Sequence, residues 1–290
     1  TLHKGIDDNS WYLHSLDAYR PDYGNNLANT LSIIDQQGNQ TIGNIVGGSG
    51  GLRSSDRLRS GNQDKLSSLW NVTTYGKKRG HTASKQINYD YDTTNTLFGA
   101  DTSFFMGDGL LQMGGMVGLL KTKSNSHNLI TDSFGKGEVK GNQYSIYGTW
   151  YFDADTALSP FVDFVVSYGR YKNKINTLGN DQSSYRSHLY SYTLQGGYPI
   201  QLGENVIVEP QAQLTYVDYK IKDYVDHTGA TVKQSVKGKT RSRIGAYIYP
   251  NDMDFRPYAA VNLWYDDLSA TAGYNDTYLS SDKRKFMLET

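Results

Sequence analysis

Alternation of apolar and polar residues is the main pattern in the last three quarters of this chain. In the stretch VIVEPQAQLTY (206–216), one face of an extended chain is apolar, and the other, apart from Ile207, holds Glu209, Gln211, Gln213 and Thr215. Runs of this kind, separated by Gly, Asn, Asp and Ser, predict strands. We expect them at 66–78, 85–106, 109–124, 136–153, 157–176, 184–202, 205–224, 231–249 and 255–274, with a further start at 282–290.

The connections between these strands are of two kinds. Short ones, such as 107–109 and 202–205, alternate with longer polar ones, such as SNSHNLITDSFGKGEVKG and VDHTGATV. An up-and-down meander with tight turns at one end and loops at the other explains this order. Outer-membrane β-barrels sort their turns in this way, so we predict an all-β, up-and-down antiparallel transmembrane barrel.

The strands also predict which side is apolar. Their apolar bands are about four to five side chains long, which covers roughly 25 Å at a tilt of ~40° and matches an outer-membrane hydrocarbon zone. A soluble sandwich is the alternative, but strands of ~18 residues exceed its usual lengths. We predict that the lipid-facing residues include Val162, Phe164, Val166, Tyr168, Tyr192, Leu214 and Tyr216. We predict that the pore-facing residues are Asp163, Glu209, Gln211, Gln213, Arg241 and Arg243.

The first 63 residues differ from the rest. Leu27, Leu31 and Ile34 recur at helical spacing, which predicts a helix around 22–36, and GGSGG (47–51) predicts a loop after it. The sequence thus divides into an extended tail at 1–21, a helix and loop at 22–63, and the barrel at 64–290. Within the helical region, Asp22, Asn26, Leu27, Leu31 and Ile34 are the candidate functional residues.

Composition narrows the function. Lys+Arg and Asp+Glu both number 29, so the chain has no basic field of the kind that nucleic acid requires. Cysteine is absent, which suits passage through an oxidising compartment. The 24 tyrosines and 30 glycines are an excess, and tyrosine suits positions with one apolar and one wet end. The polar N-terminus shows no signal peptide, so we expect an internal piece of a longer precursor.

Several motifs resemble the translocator domain of bacterial autotransporters (type V secretion), in its AIDA and pertactin branch. NSWYLHS is similar to the end of an autochaperone region, and YRPDYGNNLANTL is similar to the helix that plugs the pore. SSDRLRS followed by SSLW resembles the start of the first strand. Five further segments each resemble a later strand of that domain: FGADTSF, YSIYGTWYF, VEPQAQLTY, TRSRIGAYI and FRPYAAVNLWY.

The resemblance implies an outer-membrane translocator and anchor, with the helix in the barrel lumen and the passenger at the cell surface. It implies a passenger domain, outer-membrane lipids or lipopolysaccharide, the β-barrel assembly machinery and periplasmic chaperones as partners, and no nucleic acid, cofactor or metal. It also implies twelve strands and a terminal aromatic residue. Because KRKFMLET lies in about the tenth strand, we expect that two strands are missing from this sequence.

The pair Asn25–Asn26 resembles, as a dipeptide only, the site at which some autotransporters cleave themselves inside the barrel. Such cyclisation requires acidic and cationic groups that activate the amide, and the predicted pore residues Glu209, Asp163, Arg241 and Arg243 are candidates. The alternative, which we favour, is that both asparagines solvate the start of the helix. We therefore predict that the chain is not an enzyme. Self-cleavage at Asn25–Asn26 is the one reaction that stays to be tested.

Two other functions remain open from the sequence. A porin or an outer-membrane enzyme with a plug would conduct ions or hydrolyse lipid, but none of the six histidines has a serine two residues on, and the nucleotide and zinc-protease motifs are absent. A soluble, β-rich adhesin fragment would need no detergent.

Overall fold

A computed structural model describes residues 2–4, 11–13, 19–38, 67–156, 158–176, 182–251, 258–275, 277–282 and 285–289. The helix α1 spans Asp22–Gly38, with Pro21 just before it and Asp22 in its first turn, both of which suit a helix start. Within the described residues, no helix is long and apolar enough to cross a bilayer. The loop predicted at 47–51 lies outside the described residues.

The described strands agree closely with the predicted segments. Their bounds are β1 Leu2–Lys4, β2 Trp11–Leu13, β3 Ser67–His81, β4 Ile87–Met106, β5 Gly109–Asn128, β6 Ser133–Tyr151, β7 Phe161–Asn176, β8 Gln182–Gly197, β9 Ile200–Leu202, β10 Val206–Ile221, β11 Tyr224–Val225, β12 Thr231–Lys237, β13 Thr240–Pro250, β14 Ala259–Asp266, β15 Ser269–Tyr274, β16 Thr277–Ser280 and β17 Phe286–Glu289.

Most of these strands form one antiparallel sheet that curls around the helix. The order is β17-β14-β13-β10-β8-β7-β6-β5-β4-β3, with β9 also paired to β10, in an 11-stranded sheet. Sequence neighbours are therefore neighbours in space, as an up-and-down barrel requires. The predicted fold class, an antiparallel β-barrel with a helix inside it, is confirmed. β1 and β2 pair separately with each other.

The prediction of a long loop at SNSHNLITDSFGKGEVKG, between the segments that form β5 and β6, is wrong. β5 and β6 continue through it in unbroken register, and only residues 129–132 form the turn. The polar residues there mislead because a strand that leaves the membrane exchanges lipid for water on its outer face and keeps its ladder. We call the end with the turns at 82–86 and 129–132 the upper end, and the end with the turns at 107–108 and 203–205 the lower end.

At the upper end, a second sheet packs against the start of the helix. β11, β12, β15 and β16 form this 4-stranded sheet, and short breaks near 238–239 and 267–268 separate it from β13 and β14. Gly238 has φ 75°, and a Cβ there would collide with the carbonyl of Asp267. Only glycine fits this break. The bridge between Thr82 and Ser281 joins this second sheet to the β3–β4 turn.

Pro210 interrupts pairing on one side only. On the β13 side, the register runs continuously through the pair of Pro210 and Ala246. On the other side, β8 ends at Gly197 and β9 begins at Ile200, so that Tyr198 and Pro199 lie between two paired segments. Pairing is thus interrupted opposite Pro210, and the register is the same on both sides of the break. Proline therefore costs ladder bonds here without a bulge.

Candidate functional site

The helix lies inside the curled sheet and packs there through two apolar clusters. Near its start, Leu27 and Tyr23 are buried against Ile87 and Tyr89 of β4 and Tyr274 of β15. Further along, the cluster around Ile33 and Ile34 includes residues of four different strands: Leu120, Val139, Leu189 and Val217. Because these strands lie on different sides of the helix, the sheet surrounds it.

Along the first half of the helix, a polar ladder fixes it to β5. The Ser126 hydroxyl donates to Asn25 Oδ1 at 2.7 Å, and the Ser124 hydroxyl donates to Asn29 Oδ1 at 2.9 Å. The Asn25 amide in turn donates to Ser124 Oγ at 3.2 Å. Four helical residues rise about 6 Å and two strand residues about 6.7 Å, so the two repeats remain in step.

Glycines on β6 allow this close approach. Gly135 and Gly137 pair directly with Ser126 and Ser124. A Cβ on Gly137 would come within 2.8 Å of Asn29 Oδ1, and one on Gly135 would collide with the Asn25 side chain. The two inward glycines therefore form the groove in which the asparagines lie.

The lower part of the helix is held by Gln37. The Tyr171 hydroxyl donates to Gln37 Oε1 at 2.7 Å, and the Gln37 amide donates to the carbonyl of Leu189 at 3.3 Å. Both Gln37 and Tyr171 are buried. The Tyr171 ring also covers Gly141, its paired residue on β6, and Gly169, two residues earlier on β7. A Cβ on either glycine would collide with the ring. Tyrosine and glycine are thus paired in space, which accounts for part of their excess.

Asp35 joins the helix to two distant strands of the sheet. Lys78 Nζ of β3 lies 2.8 Å from Asp35 Oδ2, and Arg241 Nη2 of β13 lies 3.0 Å from Asp35 Oδ1. The Tyr91 hydroxyl donates to the same carboxylate. Arg241 also donates through Nε to Asp266 Oδ2 at 3.0 Å. A single helix carboxylate therefore connects β3, β4 and β13.

Arg20 clamps the start of the helix at the upper end. Its guanidinium lies 2.6 Å from Asp22 Oδ2 and 2.8 Å from Asp226 Oδ2, in the connection between β11 and β12. It also donates to Thr228 Oγ1 at 2.9 Å. Burial favours the neutral acid, but hydrogen bonds from Thr228 and the backbone of Ala230, together with Arg20, lower the pKa of Asp226.

A second polar network surrounds Arg243 on β13. Arg243 donates to Asn262 Oδ1 at 2.7 Å and to Gln211 Oε1 at 2.7 Å. The Gln211 amide donates to Glu209 Oε1 at 2.6 Å, and the Tyr249 hydroxyl donates to Glu209 Oε2 at 2.7 Å. These bonds connect Glu209 to Arg243 through Gln211.

The structure separates the predicted faces. The predicted pore-facing residues Asp163, Glu209, Gln211, Gln213, Arg241 and Arg243 are all buried inside the sheet. Of the predicted lipid-facing residues, Val166, Tyr192, Leu214 and Tyr216 are exposed, while Val162, Phe164 and Tyr168 are partly exposed. Of the pore set, Arg241 has a described bond to the helix, through Asp35.

The candidate helix residues are held on several sides. Asp22, Asn26, Leu27 and Ile34 are buried, and Leu31 is partly buried against the upper cluster. The Asn26 amide donates to the Tyr274 hydroxyl at 2.5 Å, and Asn26 Oδ1 accepts from Gln234 at 2.6 Å.

The pair Asn25–Asn26 lies near the upper end, in contact with hydroxyl and amide groups of Ser124, Ser126, Tyr274 and Gln234. Arg241, one of the groups expected to activate it, bonds Asp35, which is nine residues or about 13 Å further along the helix. Self-cleavage at this pair stays a prediction.

Sequence reasoning missed several residues of this interface. Asp35 of the helix was not singled out, whereas the polar helix residues Asn29 and Gln37 suit a wet lumen from the sequence alone. A signal for the ladder exists in SNS (124–126) and GKG (135–137), where small inward residues alternate with outward polar ones. Such small-x-small pairs on adjacent strands indicate that another backbone approaches closely.

Known proteins share this architecture. A family model described as "Autotransporter beta-domain" matches residues 69–287. An uncharacterised Escherichia coli protein, YdeU, is 23% identical over 299 residues, which cover 89% of this chain and 64% of that protein. The Escherichia coli autotransporter adhesin AIDA-I is 22% identical over 290 residues, covering 89% of this chain and 22% of the adhesin. The chain thus spans less than two thirds of these relatives.

Among solved structures, the transport unit of AIDA-I from Escherichia coli superposes with a TM-score of 0.77 and 17% identity, covering 93% of this chain and 86% of that one. The beta domain of the Bordetella autotransporter BrkA gives 0.57 and 19%, covering 77% and 95%. These likenesses support the fold, and the family match covers well over half of the sequence. The chain therefore belongs to the autotransporter beta-domain family, which forms β-barrels in the bacterial outer membrane.

Proposed function

We propose that this chain is the outer-membrane translocator and anchor of an autotransporter, with α1 retained in the barrel as plug and tether. The observation that carries this proposal is the binding of α1 at three heights inside the sheet. Arg20 fixes its start, the Asn25–Asn29 ladder and Asp35 fix its middle, and Gln37 fixes its end.

The direction of the helix supports an orientation for the barrel. The chain meets α1 at the upper end, where Ser126 Oγ lies 2.7 Å from the carbonyl oxygen of Pro21. A passenger that precedes residue 1 would therefore leave through the upper end, and this end would face the cell surface. On this proposal, residues 1–21 are the exit segment, 22–63 the plug and its connection, and 64–290 the barrel.

The contacts also suit a segment that passes through a wet pore and then stops there. Polar side chains keep their hydrogen bonds to water while a segment moves through a wet pore. They bind the barrel wall only where its donors and acceptors match their own. The ladder supplies such a register for Asn25 and Asn29, and Asp35 and Gln37 have matching partners further along the helix. We propose the passenger, the barrel assembly machinery, periplasmic chaperones and outer-membrane lipids as partners.

Surface display tests the function. An epitope tag and a protease site are placed ahead of residue 1, behind a secretion signal, and the chain is expressed in a Gram-negative host. We expect the tag to be cleaved by protease added to intact cells and the barrel to migrate heat-modifiably on gels. A heat-modifiable barrel whose tag stays protected would contradict translocation, and a chain that is soluble without detergent would contradict the membrane assignment.

A further inference from the structure

Basic side chains form a row on the outer face of the barrel, towards the upper end. Directly paired positions place Lys121 beside Lys140, Lys140 beside Lys172, and Lys172 beside Arg186. All four side chains are exposed. Since neighbouring strands are about 4.8 Å apart, the row brings four positive charges within roughly 15 Å.

The adjacent rows on the same face strengthen this field. Lys123, Lys136, Arg170 and Lys174 surround the row, and Glu138, 2.8 Å from Lys140, is the acidic side chain among them. The whole chain carries equal numbers of basic and acidic residues, so this is a local concentration. Like charges directly opposite each other destabilise a sheet, and an anionic partner would relieve this repulsion.

The height of the row indicates where that partner lies. Tyr144, Tyr168 and Tyr190 are directly paired on the same outer face, four residues below Lys140 along β6. Tyrosine marks the boundary between hydrocarbon and headgroups. Four residues of a tilted strand rise about 10 Å, so the basic row lies at the level of lipid headgroups.

These tyrosines line the top of a depression of about 850 Å³ in the outer face. Phe98, Val117 and Ile146 line it, and Gly115 lies in its floor. A Cβ on Gly115 would meet nothing closer than the carbonyl of Ser145 at 3.7 Å, so nothing in the described structure excludes a side chain there. Glycine is unfavourable in the interior of a strand. What Gly115 provides in return is the open space left by its missing side chain.

We propose that this face binds a phosphate-bearing lipid of the outer leaflet, lipopolysaccharide. Its phosphates bind Lys121, Lys140, Lys172 and Arg186, and one of its acyl chains fills the depression at Gly115. Charge-assisted contacts to phosphate offset the repulsion within the row, and the acyl chain covers apolar surface that a flat strand would leave poorly packed. The assignment rests on the proposed function, because the orientation of the barrel places the upper end in the outer leaflet.

Binding of purified lipopolysaccharide to the chain folded in detergent tests the proposal, with the dissociation constant as the readout. The variants are Lys140→Gln with Lys172→Gln, and Gly115→Phe. The matched control is Lys77→Gln with Arg79→Gln, since these residues lie on the same outer face but pair with Asp92 and Asp90. Heat-modifiable migration is checked first for each variant, so that failure to form a barrel is separated from failure to bind.

We expect the wild-type chain to bind lipopolysaccharide at least tenfold more tightly than its dephosphorylated form, a difference of about 1.4 kcal/mol. The double lysine variant loses this tenfold preference, Gly115→Phe weakens both forms equally, and the control binds as the wild type does. If the lysine pair prevents folding, Lys121→Gln with Arg186→Gln replaces it.

Three results would overturn the proposal. The lysine variant retains the phosphate preference, Gly115→Phe binds both forms as the wild type does, or soluble polyphosphate binds as tightly as lipopolysaccharide. The last result would show a surface that recognises charge alone, without a lipid.

Discussion

Replacing Asp35 by asparagine isolates the contact that connects the helix to opposite parts of the sheet. Asparagine keeps the shape of the side chain and removes its charge, so Lys78 and Arg241 lose an anionic partner. The Lys78 side chain is 51% exposed, and water screens its pairing to about 0–1 kcal/mol. The Arg241 side chain is 5% exposed, and a charged hydrogen bond there is worth about 1.5–3 kcal/mol.

Arg241 retains Asp266, which reduces the loss. We therefore expect Asp35→Asn to destabilise the folded chain by about 2 kcal/mol, mostly through Arg241. For a chain of this size, that corresponds to a fall of roughly 4–8 °C in the thermal midpoint. The midpoint is measured as the temperature at which half of the chain changes from the compact to the unfolded band on a gel.

The same variant should also release the plug. Because Asp35 connects α1 to β3 and β13, its loss frees the helix more than it disturbs the barrel wall, and single-channel conductance in planar bilayers should rise. Asp155→Asn, at an exposed position in the lower turn, is the control for an added amide. Equal midpoints and equal conductance in Asp35→Asn and the wild type would refute the cross-bracing role.

Further predictions concern the ladder, the clamp and the asparagine pair. Gly137→Leu should displace Asn29 and lower the thermal midpoint by at least as much as Asp35→Asn, whereas an unchanged midpoint would mean that the helix does not lie against β6. The lowered pKa of Asp226 stabilises the fold at and above the ordinary aspartate pKa of about 4, and this stabilisation is lost as pH falls through the lowered value. The midpoint of the wild type should thus fall more steeply below pH 4 than that of Asp226→Asn, and parallel curves would contradict the clamp with Arg20. Intact-mass analysis of the folded chain should give one uncut polypeptide, since the side-chain amide of Asn25, the group that would attack, is held by Ser124 and Ser126, and a fragment beginning at Asn26 would show self-cleavage.

The alternation of apolar and polar residues predicted the barrel because each strand contacts lipid on one face and a polar interior on the other. In β10, residues such as Leu214 and Gln213 cannot exchange faces without placing an amide in lipid, so the register is strongly specified. Ile207 is the exception to this alternation in β10, because it is apolar and is buried on the inner face.

The contacts of the helix could not be predicted in the same way. Which residues of α1 meet which strand depends on the rotation and depth of the helix in the barrel, and apolar spacing fixes neither. Asp35 is an ordinary polar residue in the sequence, and its partners Lys78 and Arg241 lie 43 and 206 residues away. The break between β12 and β13 likewise depends on the missing side chain of Gly238, and the need for glycine there becomes visible only when Asp267 is placed beside it.

The upper part of the β5–β6 hairpin performs two tasks with one period-two pattern. In GKG, the two glycines face inward and make room for Asn25 and Asn29, while Lys136 between them faces outward among the basic residues. In SNS, the serines bond the helix, and Asn125 faces outward. Because successive side chains of a strand point to opposite faces, residues that bind the plug and residues that face lipid headgroups must interleave in this hairpin. A one-residue slip would place lysine against the helix and glycine in the headgroup layer, so both functions depend on the same register.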